Sequence, residues 1–135
     1  MDVNSAYNPT LWAMGASGAL LLVQLIIADL TGITARHKPG TPIPADASTF
    51  LFRSARAHAN TNESISAFAL FAVTGILSAA APFWLNVFSW AYVACRIGHM
   101  GFYYANKSIL RSTVFGISLV ALVGMFITVV AAWLR

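Results

Sequence analysis

Apolar residues gather in four long stretches separated by short polar ones. The first, Leu11 to Leu30, is interrupted only by Gln24 and, near its end, by Asp29. About 20 apolar residues are what a helix needs to cross the hydrocarbon of a bilayer. Thr31 to Ser48 follows, and its prolines Pro39, Pro42 and Pro44 exclude a helix, because each removes an amide donor and restricts the residue before it. A second helix is expected to begin around Ala47-Ser48-Thr49, with Ser48 or Thr49 capping the free amides. Its first half, Phe50 to Glu63, is polar on one side, and its second half, Ser64 to Ala81, is apolar. A turn at Ala80-Ala81-Pro82 leads to a third run, Phe83 to Tyr104. A polar loop, Ala105 to Lys107, precedes the last one, Ser112 to Leu134. The pattern predicts an all-α, integral membrane four-helix bundle, one domain spanning 1–135, with no internal repeat.

Composition sharpens that reading. Of 135 residues, 59% are hydrophobic and 9% charged, against roughly 25% charged in soluble domains. Lipid must therefore cover much of the surface. The net charge of +4 does not indicate nucleic acid, since the basic residues sit at the ends of apolar runs and not as a stripe on a polar domain. Met1 to Thr10 lacks a basic region and contains Asp2, so the first run reads as a retained helix and not as a cleaved signal peptide. Cys95, the single cysteine, excludes an internal disulfide and reads as a small buried hydrophobe.

Orientation follows from the cations. Arg36, Lys38, Arg53 and Arg56 lie on the side of the first loop, and Lys107 and Arg111 on that of the third; the turn between helices two and three has none. The positive-inside rule then makes loops 1 and 3 cytoplasmic and puts both termini on the opposite side. No retention or transit signal is visible, so a bacterial inner membrane is the expected setting. Trp12, Trp84, Trp90 and Trp133 suit interfacial anchoring, and Gly15, Gly18, Gly116 and Gly124 suit close helix approach.

Polar residues at membrane depth each demand an explanation. Arg53, Arg56, Asn60 and Glu63 are spaced by three, four and three, which on a helix places them in a stripe roughly 80° wide, with His58 pointing elsewhere. Arg96, His99 and Tyr103 share one face of the third helix in the same way. One reading is mutual satisfaction, with Glu63 pairing with Arg56 or Arg96, Asn60 bridging helices, and Asp29 pairing with Arg36. Yet one carboxylate cannot neutralise Arg53, Arg56, Arg96 and Arg111, so the surplus charge calls for an anion, either headgroup phosphate or a small anion held by bidentate arginine contacts. No His, Cys, Asp and Glu spacing resembles a metal site.

These residues carry a resemblance. The run Arg53-Ser-Ala-Arg56-Ala-His58-Ala-Asn60-Thr-Asn-Glu63 resembles the helix-two signature of the membrane-associated proteins in eicosanoid and glutathione metabolism, the MAPEG family. Arg96-Ile-Gly-His99-Met-Gly-Phe-Tyr103 resembles its helix-three signature, and Arg111-Ser112 is similar to an Arg-Ser pair opening the last helix in its prostaglandin synthase branch. Ser64-Ile65-Ser66 stand where the family often has a proline, and Thr61 where an Asp is common.

The resemblance implies a homotrimer with glutathione as co-substrate, bound between subunits near the cytoplasmic face. It implies Arg53, Arg56 and Arg96 near the carboxylates, with His99 and Tyr103 as hydrogen-bonding neighbours. Glu63 would take the ammonium and Asn60 the peptide, while Arg111 and Ser112 would form the catalytic pair at the thiol. A lipophilic small-molecule substrate would arrive from lipid past Met100, Phe102 and Phe115. The implied activity is a glutathione-dependent transferase or peroxidase acting on lipophilic electrophiles or hydroperoxides. Two alternatives stand beside it: a non-catalytic lipid-binding or lipid-presenting protein of the same fold, and a small membrane subunit whose arginines meet lipid phosphate.

Overall fold

The computed structural model describes residues 3–135, so Asp2 lies outside the described residues. Four helices follow one another: α1 (Val3–Thr34), α2 (Phe50–Leu77), α3 (Pro82–Tyr104) and α4 (Ser108–Trp133). Each of α1 and α4 packs against both α2 and α3, and α1 and α4 do not touch. The α2–α3 pair is thus the diagonal of the bundle, and the helices run alternately up and down. The fold is the expected all-α membrane four-helix bundle. α1 and α4 are long and apolar enough to cross a membrane on their own account. α2 and α3 carry the polar stripes but also expose Leu70, Leu77, Phe83 and Trp84.

Helix α1 begins eight residues before the apolar run that predicts it. Those turns are polar and include Pro9, which lacks the amide hydrogen and opens the local ladder. Asn86 of α3 ties this turn to the bundle: its Oδ1 accepts from the Thr10 amide (3.2 Å) and hydroxyl (2.7 Å), and its Nδ2 donates to the Ala6 carbonyl (3.0 Å). The rung that Pro9 cannot make is the one to the Ser5 carbonyl, and Asn86 grips the helix one residue further on, at both ends of the Ala6–Thr10 turn. Nearby, the Tyr7 hydroxyl donates to the Ala80 carbonyl in the α2–α3 turn (2.5 Å).

Three helices end alike. Arg36, Ala79 and Asn106 adopt left-handed backbones with φ of 52°, 50° and 56°. After each, an amide reaches back five residues, from His37 to Gly32, Ala80 to Gly75 and Lys107 to Phe102. This is the Schellman closure, here made without glycine.

At the centre, Phe68 and Tyr92 stack with ring centroids 4.5 Å apart, and the Tyr92 hydroxyl lies 2.8 Å from Ser64 Oγ. The glycine expectation holds for one position of four. A Cβ at Gly124 would stand 2.6 Å from the Phe88 ring, whereas Gly15, Gly18 and Gly116 face nothing within 4 Å. Gly75, not singled out by the sequence, is the other close approach, 2.8 and 2.9 Å from the two Leu85 methyl groups. Leu85 is fully buried and cannot yield. Gly75→Ala is therefore expected to destabilise the bundle by about 2 kcal/mol through overpacking. Gly15→Ala, at an open position, should be neutral or stabilising. Thermal melts of both variants in one detergent check this, and equal melting temperatures would refute it.

The two ends of the bundle differ in chemistry. The half that carries the termini holds Trp12, Trp84, Trp90 and Trp133, all exposed. Arg36, Lys38, Arg53, Arg56, Lys107 and Arg111 occupy the opposite end.

Candidate functional site

The N-terminal half of α2, the C-terminal half of α3 and the first turns of α4 meet at the basic end. α2 starts where Thr49 Oγ1 accepts the Phe52 amide, and Asp46 fastens the approach by accepting the Ser48 amide at 2.9 Å. The Ser48 hydrogen bonds hold the Asp46 carboxyl below its usual range. Arg53 turns back onto the same segment. Its Nη1 donates to the carbonyls of Ala47 (2.9 Å) and Ser48 (2.7 Å), and its guanidinium lies 5.6 Å from the centre of the Phe50 ring. It is the clasp between loop 1 and α2.

Asn60, His99, Tyr103, Arg111, Ser112 and Phe115 surround one cavity of about 170 Å³. Five of these six are residues that the sequence marked for glutathione or for catalysis, and the sixth, Phe115, was marked for the lipophilic approach. α4 begins four residues before the apolar run that predicts it, so Arg111 sits in its first turn. There its guanidinium carbon stands 4.1 Å from the centre of the Tyr103 ring, a cation–π contact that fixes the charge over the cavity. The His99 and Tyr103 rings meet edge to face at 5.2 Å. Ser112 is exposed, and its hydroxyl donates to the Ser108 carbonyl at 3.0 Å.

Arg96 stands behind this wall, 1% exposed. Its Nη1 donates to Asn60 Oδ1 at 2.7 Å, which answers the expected ion pair: Arg96 holds Asn60 and not Glu63. With Oδ1 so engaged, the amide Nδ2 of Asn60 remains to donate elsewhere. Tyr92 and Phe115 flank the guanidinium at 5.4 and 5.3 Å. Arg56 and Glu63, a turn to either side of Asn60, are exposed on the outside of the protomer and do not line the cavity. Among the described residues no group of three His, Cys, Asp or Glu side chains could hold a metal ion.

Sequence reading passed over Asn86, Thr10 and Tyr7, which anchor α1, and assigned no role to Gln24, which is fully buried. Gln24 alone left a signal there, as an amide inside an apolar run.

The model of the MAPEG family matches residues 10–131, nearly the whole chain. The chain belongs to the MAPEG family. No curated protein and no solved structure matches it. MAPEG membership supports a membrane setting and a glutathione-related function in general, and the cavity is lined by Asn60 of the helix-two signature with His99 and Tyr103 of the helix-three signature.

Proposed function

We propose that this protein is a glutathione-dependent transferase or peroxidase acting on lipophilic electrophiles or hydroperoxides at the membrane. One observation carries the reading: Arg111 is held over the Tyr103 ring at a cavity shared with Asn60 and His99. A fixed guanidinium favours a thiolate over a thiol by lowering the thiol pKa. Bound glutathione supplies that thiolate, the nucleophile for an electrophilic carbon or a peroxide oxygen. Arg111 is the catalytic group that steadies it, and Ser112 joins it by turning its hydroxyl proton from the Ser108 carbonyl to the sulfur. Asn60, oriented by Arg96, donates Nδ2 to a peptide carbonyl. His99 and Tyr103 supply further hydrogen bonds, and Phe115 flanks the approach of the apolar substrate.

A cavity of about 170 Å³ is smaller than the roughly 300 Å³ and above of whole ligand pockets. Arg56 and Glu63 stand outside it, on the same stripe of α2 as Asn60. A homotrimer accounts for both facts, because a neighbouring copy would bring Arg56 and Glu63 to glutathione's carboxylate and ammonium from across the interface. Arg53 contributes by holding the start of α2 in place. All four helices span the membrane in this reading. Loops 1 and 3 face the cytoplasm and both termini the other side, in a bacterial inner membrane.

Glutathione binding to protein purified in detergent tests the site. Arg56→Ala and Glu63→Ala should each weaken it about 10-fold or more, the loss of one charge-assisted contact. Affinity surviving in both variants would remove the assignment. Binding without turnover of any lipophilic electrophile or hydroperoxide would favour the lipid-presenting alternative.

A further inference from the structure

The guanidinium of Arg96 is charged at every physiological pH, and it is enclosed by protein. Nη1 is bonded to Asn60, but Nε and Nη2 have no partner. These are the two donors along one edge of the group, the edge that chelates anions. Two other side chains are in the same condition. Gln24 of α1 is 0% exposed with neither amide atom partnered, and Thr61 of α2 is 1% exposed with its hydroxyl unpartnered.

The registers of the helices put these three within about one turn of one another along the bundle. Asn60 with Arg96 and Ser64 with Tyr92 fix the antiparallel α2–α3 pair, so Thr61 lies beside Arg96. Thr10 with Asn86 fixes the parallel α1–α3 pair, so Gln24 lies within about one turn of Arg96 along the bundle. Three inner faces thus present donors within about one turn of the same depth.

No carboxylate is there to balance the charge. The chain has four acidic residues. Asp29, Asp46 and Glu63 are exposed, and Asp2 lies outside the described residues. The Tyr92 and Phe115 rings offset part of the cost of a buried cation. Water could satisfy the free N–H groups but would bring no negative charge, and an unpaired ion at this depth is costly.

We propose that each protomer encloses one small inorganic anion of the halide class, chloride in the cell, on the free edge of Arg96 between Gln24 and Thr61. A monatomic anion accepts from several donors without directional demands and fits where groups this enclosed admit no organic ligand. The anion acts as a structural counterion. By fixing Arg96 it also fixes the Asn60 amide that faces the cavity. The site is separate from the thiol position at Arg111, on the inner side of α3 and not on the cavity wall.

Protein purified in a neutral detergent, free of glutathione, is melted in sodium gluconate, chloride or bromide at equal ionic strength. Chloride and bromide should each raise the melting temperature by about 5 °C at about 100 mM, with single-site saturation. The chloride NMR line should broaden with wild-type protein and sharpen when bromide competes. Gln24→Leu and Arg96→Met should each flatten the chloride response. The NMR reading on wild type keeps the test decisive if Arg96→Met fails to fold. Equal melting in gluconate and chloride without line broadening would mean that water fills the edge, and a chloride response unchanged in both variants would mean an adventitious ion only. Either result overturns the proposal. Because no glutathione is present, neither bears on the proposed activity.

Discussion

With Arg111 replaced by alanine, glutathione still binds, but its reaction with a lipophilic electrophile at pH 7 is expected to slow about 100-fold. The argument is electrostatic. A free thiol of this type ionises near pH 8.5, and a guanidinium held beside it lowers that by roughly one to three units. Removing the charge returns the thiol to its ordinary range, so at pH 7 the reactive fraction falls by about the same factor. Affinity should change far less, about 10-fold at most, because Asn60, His99 and Tyr103 remain at the cavity.

The pH profile separates this role from a merely structural one. A lowered thiol pKa means that the wild type is already ionised at neutral pH and its rate levels off there. The variant's rate should keep climbing until about pH 9. The thiolate absorbance band of the bound wild type should vanish in the variant at pH 7 and return at high pH. Variant and wild-type profiles that superimpose after scaling would mean that Arg111 packs against Tyr103 without activating sulfur.

Asn86→Leu is expected to cost the fold about 3 to 4 kcal/mol. The change leaves the Thr10 amide and the Ala6 carbonyl without the groups that now serve them, beside a proline that already interrupts the ladder. Each buried backbone group left unsatisfied costs about 1–3 kcal/mol. Asn86→Asp, which keeps the acceptor but loses the Nδ2 donor, should cost about half as much. The coupling to Pro9 can be measured by a double-mutant cycle. Pro9→Ala restores the neighbouring rung to the Ser5 carbonyl and steadies this turn, so the bundle should depend less on Asn86 and the two changes should not add. Melting curves of the four proteins settle the matter, and strict additivity would sink the account.

Arg111 and Asn86 mark where sequence reading reaches and where it stops. The four runs were legible because lipid imposes a length of apolar chain, and the two polar stripes because a helix has a fixed period. The stripes pointed to Asn60, His99 and Tyr103 and the resemblance to Arg111 and Ser112, and these five line one cavity. Periodicity, however, gives a direction relative to one helix axis and says nothing of the neighbour met there. Arg53 and Arg56 are three residues apart on one stripe, yet Arg53 folds back to loop carbonyls while Arg56 is exposed. Arg96 looked like its companions and is enclosed. Glycines were equally ambiguous, since only contact with Leu85 or Phe88 distinguishes Gly75 and Gly124 from Gly15. The first two turns of α1 were invisible because they are polar, and the amide that sustains them comes from a residue 80 positions from Ala6.

In the proposed orientation, the four indoles in one half and the guanidinium and ammonium groups at the other end would set the immersion depth of the protein from both directions. Upward displacement would drag charged groups into hydrocarbon, and downward displacement would pull indoles away from the headgroup layer they favour. The molecule is thereby gauged against bilayer thickness. In a thinner or thicker membrane it would have to lean or bend the lipid around it, because neither layer of anchors can easily let go.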